Sequence, residues 1–183
     1  MKHFGLIGRV FAIVGLVMSS LMVEAQHYVT IDSYITTAVS LPKMGGDSVY
    51  LVNEAVLVGQ GGELTVEAGV KIYFDQSAYL RVDGGRLHLQ GRVNDSIYLL
   101  CYEYSHDWAG IQLKNVADED AVGLSYVTAV GASPALVASN CANVVVKHCV
   151  LNNYYSGKGM ELTDCHHFLV DSCFFRNALR ASS

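Results

Sequence analysis

The chain has 183 residues, of which 51% are hydrophobic and 16% charged, and its formal net charge is −5. This much apolar sequence can form a sizeable core and excludes a largely disordered chain, because disorder goes with low hydrophobicity and high net charge. The 17 acidic residues outnumber the 12 basic ones, which argues against a nucleic-acid partner.

The first 25 residues have the three parts of a secretory signal peptide. Lys2 and Arg9 make the start basic, residues 10–23 form an apolar stretch, and Ala25 ends a short cleavage motif. A membrane anchor is the alternative, but the stretch would span only about 21 Å as a helix, against a hydrocarbon core of about 30 Å. We predict cleavage after Ala25, a secreted or extracellular product at the cell surface or in the periplasm, and no membrane span after cleavage.

Residues 26–60 lie between this leader and the first repeat. They contain two stretches of alternating apolar and polar residues, 28–39 and 49–58, separated by Pro42 and a Gly-Gly pair. The end of a solenoid exposes unpaired backbone and apolar surface, so solenoids need atypical terminal units. We interpret 26–60 as an N-terminal β cap.

From residue 61 to residue 183 the sequence repeats about every 23 to 25 residues. Gly61-Gly62 aligns with Gly84-Gly85, and segment 140–149 aligns with 164–173 without a gap. Each copy contains short alternating runs bounded by Gly, Asn or Asp, which is typical of strands and turns. Sustained helical periodicity and the leucine-rich-repeat pattern are both absent from the sequence. These features predict an all-β fold, a parallel β-helix (solenoid) of about five coils.

Stacked coils place equivalent residues above one another, so the alignment also predicts ladders of side chains. Two inward ladders should be apolar, and a polar ladder at a turn should hydrogen-bond to its neighbours. The first apolar ladder comprises Leu64, Leu87, Ile111, Leu136 and Met160; the second comprises Val66, Leu89, Leu113, Ala138 and Leu162; the polar ladder comprises Asn115, Asn140 and Asp164.

Four of the five cysteines follow the repeat. Cys141 stacks on Cys165 and Cys149 on Cys173, whereas Cys101 stands apart. Stacked Cβ atoms would lie near the 4.8 Å strand spacing, beyond the usual 3.5 to 4.5 Å of a disulfide, which favours buried free thiols. Inward ladder positions do not converge, which argues against a zinc site made of these cysteines with His148, His166 and His167.

Several motifs resemble one known family. The runs 62–74 and 81–91, and then Asp107-Trp108-Ala109-Gly110-Ile111-Gln112-Leu113, are similar to bacterial secreted right-handed parallel β-helix proteins of the pectate-lyase-like superfamily. The resemblance covers roughly 50–177 and implies a right-handed helix. It says little about chemistry, because the superfamily includes lyases, hydrolases and adhesins.

Two groups of residues are candidates for binding. Sugars stack on aromatic rings, which makes the tyrosines and the tryptophan of 102–108 and 154–155 candidate ligand-binding residues; packing in the core or cap is the competing interpretation. An acidic turn could hold the Ca²⁺ of a polysaccharide lyase, or be an ordinary solvated loop. The aromatic candidates are Tyr102, Tyr104, Trp108, Tyr154 and Tyr155, and the acidic ones are Asp118, Glu119 and Asp120. No other cofactor is expected.

Three functions remain open from the sequence. The first is non-catalytic binding of a polysaccharide or another cell-surface component by an exported β-helix. The second is a polysaccharide lyase or hydrolase whose active residues lie partly beyond Ser183, and the third is a structural module of a longer adhesin. The sequence stops just after a predicted coil, so we expect further chain, self-association or a partner to cover that coil.

Overall fold

A computed structural model describes residues 26–46, 48–103, 107–118, 121–152 and 158–176. Every helix or strand assigned within these ranges is a β-strand. No helix in this part of the chain is long and apolar enough to cross a membrane. The predicted signal peptide lies outside the described residues and stays a prediction.

Nineteen strands follow one another along the described chain. Their bounds are β1 Tyr28–Thr30, β2 Tyr34–Ile35, β3 Ala38–Leu41, β4 Val49–Val52, β5 Ala55–Val58, β6 Glu63–Glu67, β7 Lys71–Phe74, β8 Tyr79–Asp83, β9 Arg86–Gln90, β10 Ile97–Cys101, β11 Ile111–Lys114, β12 Val122–Ser125, β13 Val127–Val130, β14 Leu136–Ser139, β15 Val144–Lys147, β16 Val150–Asn152, β17 Met160–Thr163, β18 Phe168–Asp171 and β19 Phe174–Arg176.

Every third strand pairs in parallel, which builds three sheets. Sheet 1 has the order β1-β4-β7-β10-β13-β16-β19, sheet 2 the order β2-β5-β8-β11-β14-β17, and sheet 3 the order β3-β6-β9-β12-β15-β18. Seven, six and six strands correspond to about six turns of a parallel β-solenoid. The prediction of an all-β parallel solenoid is confirmed.

The segment predicted as a cap, 26–60, contributes strands to all three sheets. Strands β1, β2 and β3 form the first turn, and each pairs with the strand three places later in the chain. These three strands lie at one edge of their sheets, which is the position a terminal unit occupies. Nothing in the pairing separates this segment from the repeats that follow.

Alternation within each strand gives the solenoid its core. In β6, Leu64 and Val66 are buried while Thr65 between them is partly exposed, and β9 repeats the pattern with Leu87 and Leu89. Successive side chains of a strand point to opposite faces of the sheet, so the apolar residues of all three sheets meet inside the coil. One continuous hydrophobic core results.

The predicted apolar ladders are right within each half of the chain and wrong at the junction. Leu64 pairs with Leu87 in sheet 3, whereas Ile111 pairs with Leu136 in sheet 2. Leu87 stacks on Val122, 35 residues later, because the fourth turn, β10 to β12, has long connections on both sides of β11. A search for a constant period therefore joins two different sheets at this turn.

The polar ladder forms as predicted at the corner between sheets 2 and 3. The amide of Asn140 donates to Oδ1 of Asn115 at 2.9 Å, and the amide of Asn115 donates to Oδ1 of Asp83 at 2.8 Å. The backbone φ values of Asn115, Asn140 and Asp164 are 50°, 53° and 51°, a left-handed conformation that Asn and Asp tolerate. The same residues turn the chain and link successive turns.

All five cysteines are free thiols in the structure, and Cys141 and Cys149 are buried as the ladder prediction requires. The four ladder cysteines repeat one contact, in which Sγ donates to the carbonyl two residues earlier, at 3.2 Å for both Cys141 and Cys149. Burial raises the pKa of Cys149 to about 12. The thiol is therefore protonated and unreactive at neutral pH.

The last described turn, β17 to β19, exposes side chains that are buried in the preceding turns. Leu162 continues the inward row of Ala138, and Val170 that of Val146, yet they are 46% and 39% exposed. An apolar face therefore lies at this end of the described stack. The expected further chain, partner or second copy stays a prediction.

Candidate functional site

Sheet 1 carries an unusual surface on its outer side. Two rows of outward side chains cross its strands, one through Leu51, Tyr73, Leu100 and Val130, the other through Tyr98, Thr128, Val150 and Phe174. Paired residues of neighbouring strands lie about 4.8 Å apart, so each row is a continuous strip. We call these two rows the sheet 1 outer face.

The other two sheets present mostly polar residues outward. In sheet 2, Arg81 donates to Oε1 of Gln112 from Nη2 at 2.6 Å, and Arg81 also lies over the ring of Tyr79. In sheet 3, Glu63 lies 3.7 Å from Arg86. Because an apolar patch with a polar rim is typical of an interaction site, the sheet 1 outer face is the candidate functional surface.

A cluster of three tyrosines lies beside these rows. Tyr28 of β1, Tyr73 of β7 and Tyr102 after β10 have ring centroids 5.5 to 6.5 Å apart and meet edge to face. The backbone amide of Tyr102 donates to the carbonyl of Phe74 at 2.7 Å, which continues the sheet pairing beyond β10. Three separate turns of the chain thus supply one aromatic cluster.

The exposure and charge of this surface suit a ligand with both apolar and hydroxyl groups. Tyr98 is 39% exposed and Tyr102 43%. Desolvation, followed by contact with Tyr102, raises the pKa of Tyr28, so its hydroxyl stays protonated at neutral pH. At the ends of the two rows lie Lys71 and Arg176, and neither row contains a carboxylate within the described strands.

The structure overturns one aromatic candidate. Trp108 is 0% exposed and its ring stacks on Phe74, with centroids 4.1 Å apart and an interplanar angle of 14°. Its Nε1–H donates to the carbonyl of Val130 at 3.0 Å. Trp108 is a core residue that satisfies its one polar group internally, so it offers no ring face to a ligand.

Of the remaining candidates, Tyr102 lies on the surface, and its role in binding stays a prediction. Tyr104, Tyr154 and Tyr155 lie outside the described residues. Tyr28 and Tyr73 were missed because they are distant in sequence from the 102–108 segment. The correct register of sheet 1 would have identified Tyr73, since it pairs with Leu100 one turn later.

The acidic turn is described only at Asp118. Glu119 and Asp120 lie outside the described residues, so the Ca²⁺ site stays a prediction. The described neighbours of Asp118 are imidazoles: His167 Nδ1 lies 3.2 Å from Oδ1 of Asp118, and His166 Nε2 lies 4.0 Å from the same oxygen. Ca²⁺ prefers oxygen ligands, so these neighbours do not suit it.

Comparison with known proteins gives no relative. No protein-family model matches the chain, and no curated protein or solved structure matches it.

Proposed function

We propose that the chain is an exported β-solenoid that binds a polysaccharide, or another cell-surface component rich in sugar, through the sheet 1 outer face and without catalysis. The observation that carries this proposal is the contrast between the aromatic, apolar outer face of sheet 1 and the polar outer faces of sheets 2 and 3. The signal-peptide pattern of 1–25 supports export.

The chemistry of the surface supports a sugar ligand. Tyrosine rings offer flat apolar faces to the C–H groups of a pyranose, and their hydroxyls can bond to its hydroxyls. Tyr98 and Tyr102 are the exposed rings, with Tyr73 between them and the cluster. Because the surface repeats with the solenoid, it suits a polymer that repeats as well.

The resemblance to secreted right-handed parallel β-helix proteins fits the same proposal. A solenoid of parallel sheets is the architecture of the pectate-lyase-like superfamily, and the motif around Trp108 occupies a core position, which accounts for its sequence without a ligand. We propose a right-handed coil and membership of that superfamily on this basis.

Affinity electrophoresis of the full-length chain tests the proposal. Gels would contain a neutral glucan, a xylan or the acidic polymer polygalacturonate, and the variant Tyr98→Ala/Tyr102→Ala would be compared with wild type. Each lost aromatic contact is worth about 0.5–1.5 kcal/mol, so we expect the double variant to bind roughly 5- to 150-fold more weakly. Tyr34→Ala is the matched control, because Tyr34 is 60% exposed but belongs to sheet 2.

Two results would overturn the proposal. The first is that the wild-type chain is retarded by none of the polymers, and the second is that the double variant is retarded as strongly as Tyr34→Ala. Calcium-dependent release of unsaturated sugars from polygalacturonate would instead establish a lyase. The charge of the preferred polymer is informative too, since the rows carry Lys71 and Arg176 without a carboxylate.

A further inference from the structure

The corner between sheets 2 and 3 brings together three metal-binding side chains from distant parts of the chain. Asp118 lies in the β11–β12 connection of the fourth turn, and His166 and His167 lie in the β17–β18 connection of the sixth. One ligand atom from each residue lies within 4.8 Å of the others, and all three residues are exposed. This corner is distinct from the sheet 1 outer face.

The distances match the geometry of a small divalent ion. Tetrahedral zinc with bonds of about 2.0–2.1 Å places its ligand atoms roughly 3.3 Å apart. Oδ1 of Asp118 is 3.2 Å from Nδ1 of His167 and 4.0 Å from Nε2 of His166. The two imidazole rings meet at 69°, with centroids 5.2 Å apart, so they do not stack face to face.

Backbone hydrogen bonds hold both sides of the cluster in place. The amide of His166 donates to the carbonyl of Cys141 at 3.0 Å, and Nδ2 of Asn143 donates to the carbonyl of Asp118 at 3.0 Å. His167 has a φ of 52°, close to the 55° of Asn143 at the equivalent position one turn earlier. The positions of the ligands therefore follow from the stacking of three successive turns.

The sequence departs from its repeat where these ligands lie. Val144 pairs with Phe168, so Ala142 and Asn143 are the equivalents of His166 and His167. A small residue and an asparagine are sufficient for the turn itself, as the earlier copy shows. Imidazoles replace them in the turn that the Asp118 loop reaches, which is the pattern expected of a ligand site rather than of a turn requirement.

We propose that Asp118, His166 and His167 bind a divalent transition-metal ion, with Zn²⁺ the best match and a fourth position open to water or to an external ligand. Imidazole nitrogens with one carboxylate suit Zn²⁺, whereas Ca²⁺ and Mg²⁺ take oxygen ligands. The bound ion would join the fourth turn to the sixth across the intervening one. A hydrogen-bonded His–Asp pair without metal is the alternative that the experiment has to exclude.

Isothermal titration of the full-length reduced chain with ZnCl₂ tests the proposal. The variant His166→Ala/His167→Asn recreates the Ala142-Asn143 pair of the preceding turn, so its turn has a demonstrated equivalent in the same protein. We expect saturable one-to-one binding by wild type, loss of that binding in the variant, and a melting temperature that rises with Zn²⁺ in wild type only.

The matched control is His88→Ala. His88 Nε2 lies 3.9 Å from Oε1 of Glu63 on sheet 3, a His–carboxylate pair that belongs to none of the three-ligand clusters of the described residues. This control should keep full Zn²⁺ binding. Co²⁺ as a second probe should give the absorption of nitrogen and oxygen ligation without a thiolate-to-cobalt band, which separates this site from the cysteines.

Three results would overturn the proposal: no saturable Zn²⁺ binding by wild type, equal binding by wild type and His166→Ala/His167→Asn, or a thiolate band with Co²⁺. A variant that folds as wild type by circular dichroism but no longer binds Zn²⁺ would support it.

Discussion

Replacement of Trp108 by alanine tests the placement of this residue in the core. Trp108 is fully buried, stacks on Phe74 with ring centroids 4.1 Å apart, and donates its indole N–H to the Val130 carbonyl. The substitution removes the largest fully buried side chain of the described structure. A surface tryptophan would leave stability almost unchanged when truncated.

The expected loss is large relative to the stability of a domain. Truncation of a buried Trp to Ala costs about 3–5 kcal/mol, against a total of about 5–15 kcal/mol for a typical domain. Trp108→Phe keeps an aromatic ring against Phe74 but leaves the Val130 carbonyl without its donor, which costs about 1–3 kcal/mol. The two variants should therefore rank Ala below Phe below wild type.

Urea unfolding followed by circular dichroism measures these losses, with Tyr34→Ala as the exposed control. Trp108 is the single tryptophan of the chain, so wild-type emission should be blue-shifted and weakly quenched by acrylamide. A loss below about 1 kcal/mol for Trp108→Ala, or emission typical of a solvated indole, would refute the core placement.

Three further predictions concern stability and reactivity. Asn140→Ala should cost about 1–2 kcal/mol more than Asn140→Gly, because the left-handed φ of 53° strains alanine; equal unfolding midpoints would contradict this. Cys149 should resist iodoacetamide in the native state, as judged by mass spectrometry, and stability should fall as pH rises from 9 towards 12, because the unfolded chain loses this proton first. Burial raises the pKa of Asp107 and leaves its Oδ1 without a partner, so the stability contributed by the protonated form is lost as pH rises through that pKa. Asp107→Asn should then raise the melting temperature at pH 7 but not at pH 3, and an equal effect at both pH values would argue against it.

The fold was accessible from the sequence because its signals are local and repeated. Alternation in Leu64-Thr65-Val66, glycine pairs and positive-φ asparagines each report a strand or a corner without knowledge of distant residues. The register across the fourth turn was not accessible, because the long connections around β11 change the period from 24 residues to 31 and 35. Insertions of this kind leave no mark on the hydrophobic alternation that periodicity detects.

The candidate sites were less accessible than the fold, for the same reason. Tyr102 stood out because neighbouring aromatics surround it in sequence, yet one of these, Trp108, points into the core. The partners it does have, Tyr28 and Tyr73, come from other turns. The Asp118 loop likewise meets His166 and His167 two turns later, and only the completed stacking of the corner places them together.

The fourth turn separates the scaffold from what it carries. Its two long connections bring Tyr102 to one face and Asp118 to one corner, while β10, β11 and β12 keep their pairing with both neighbouring turns. Lengthening a flexible loop is inexpensive, about 0.6 kcal/mol for each doubling. Residues in these two connections can therefore change in number and identity while the ladder beneath them stays intact, which makes this turn the place where a new binding specificity could be grafted onto the solenoid.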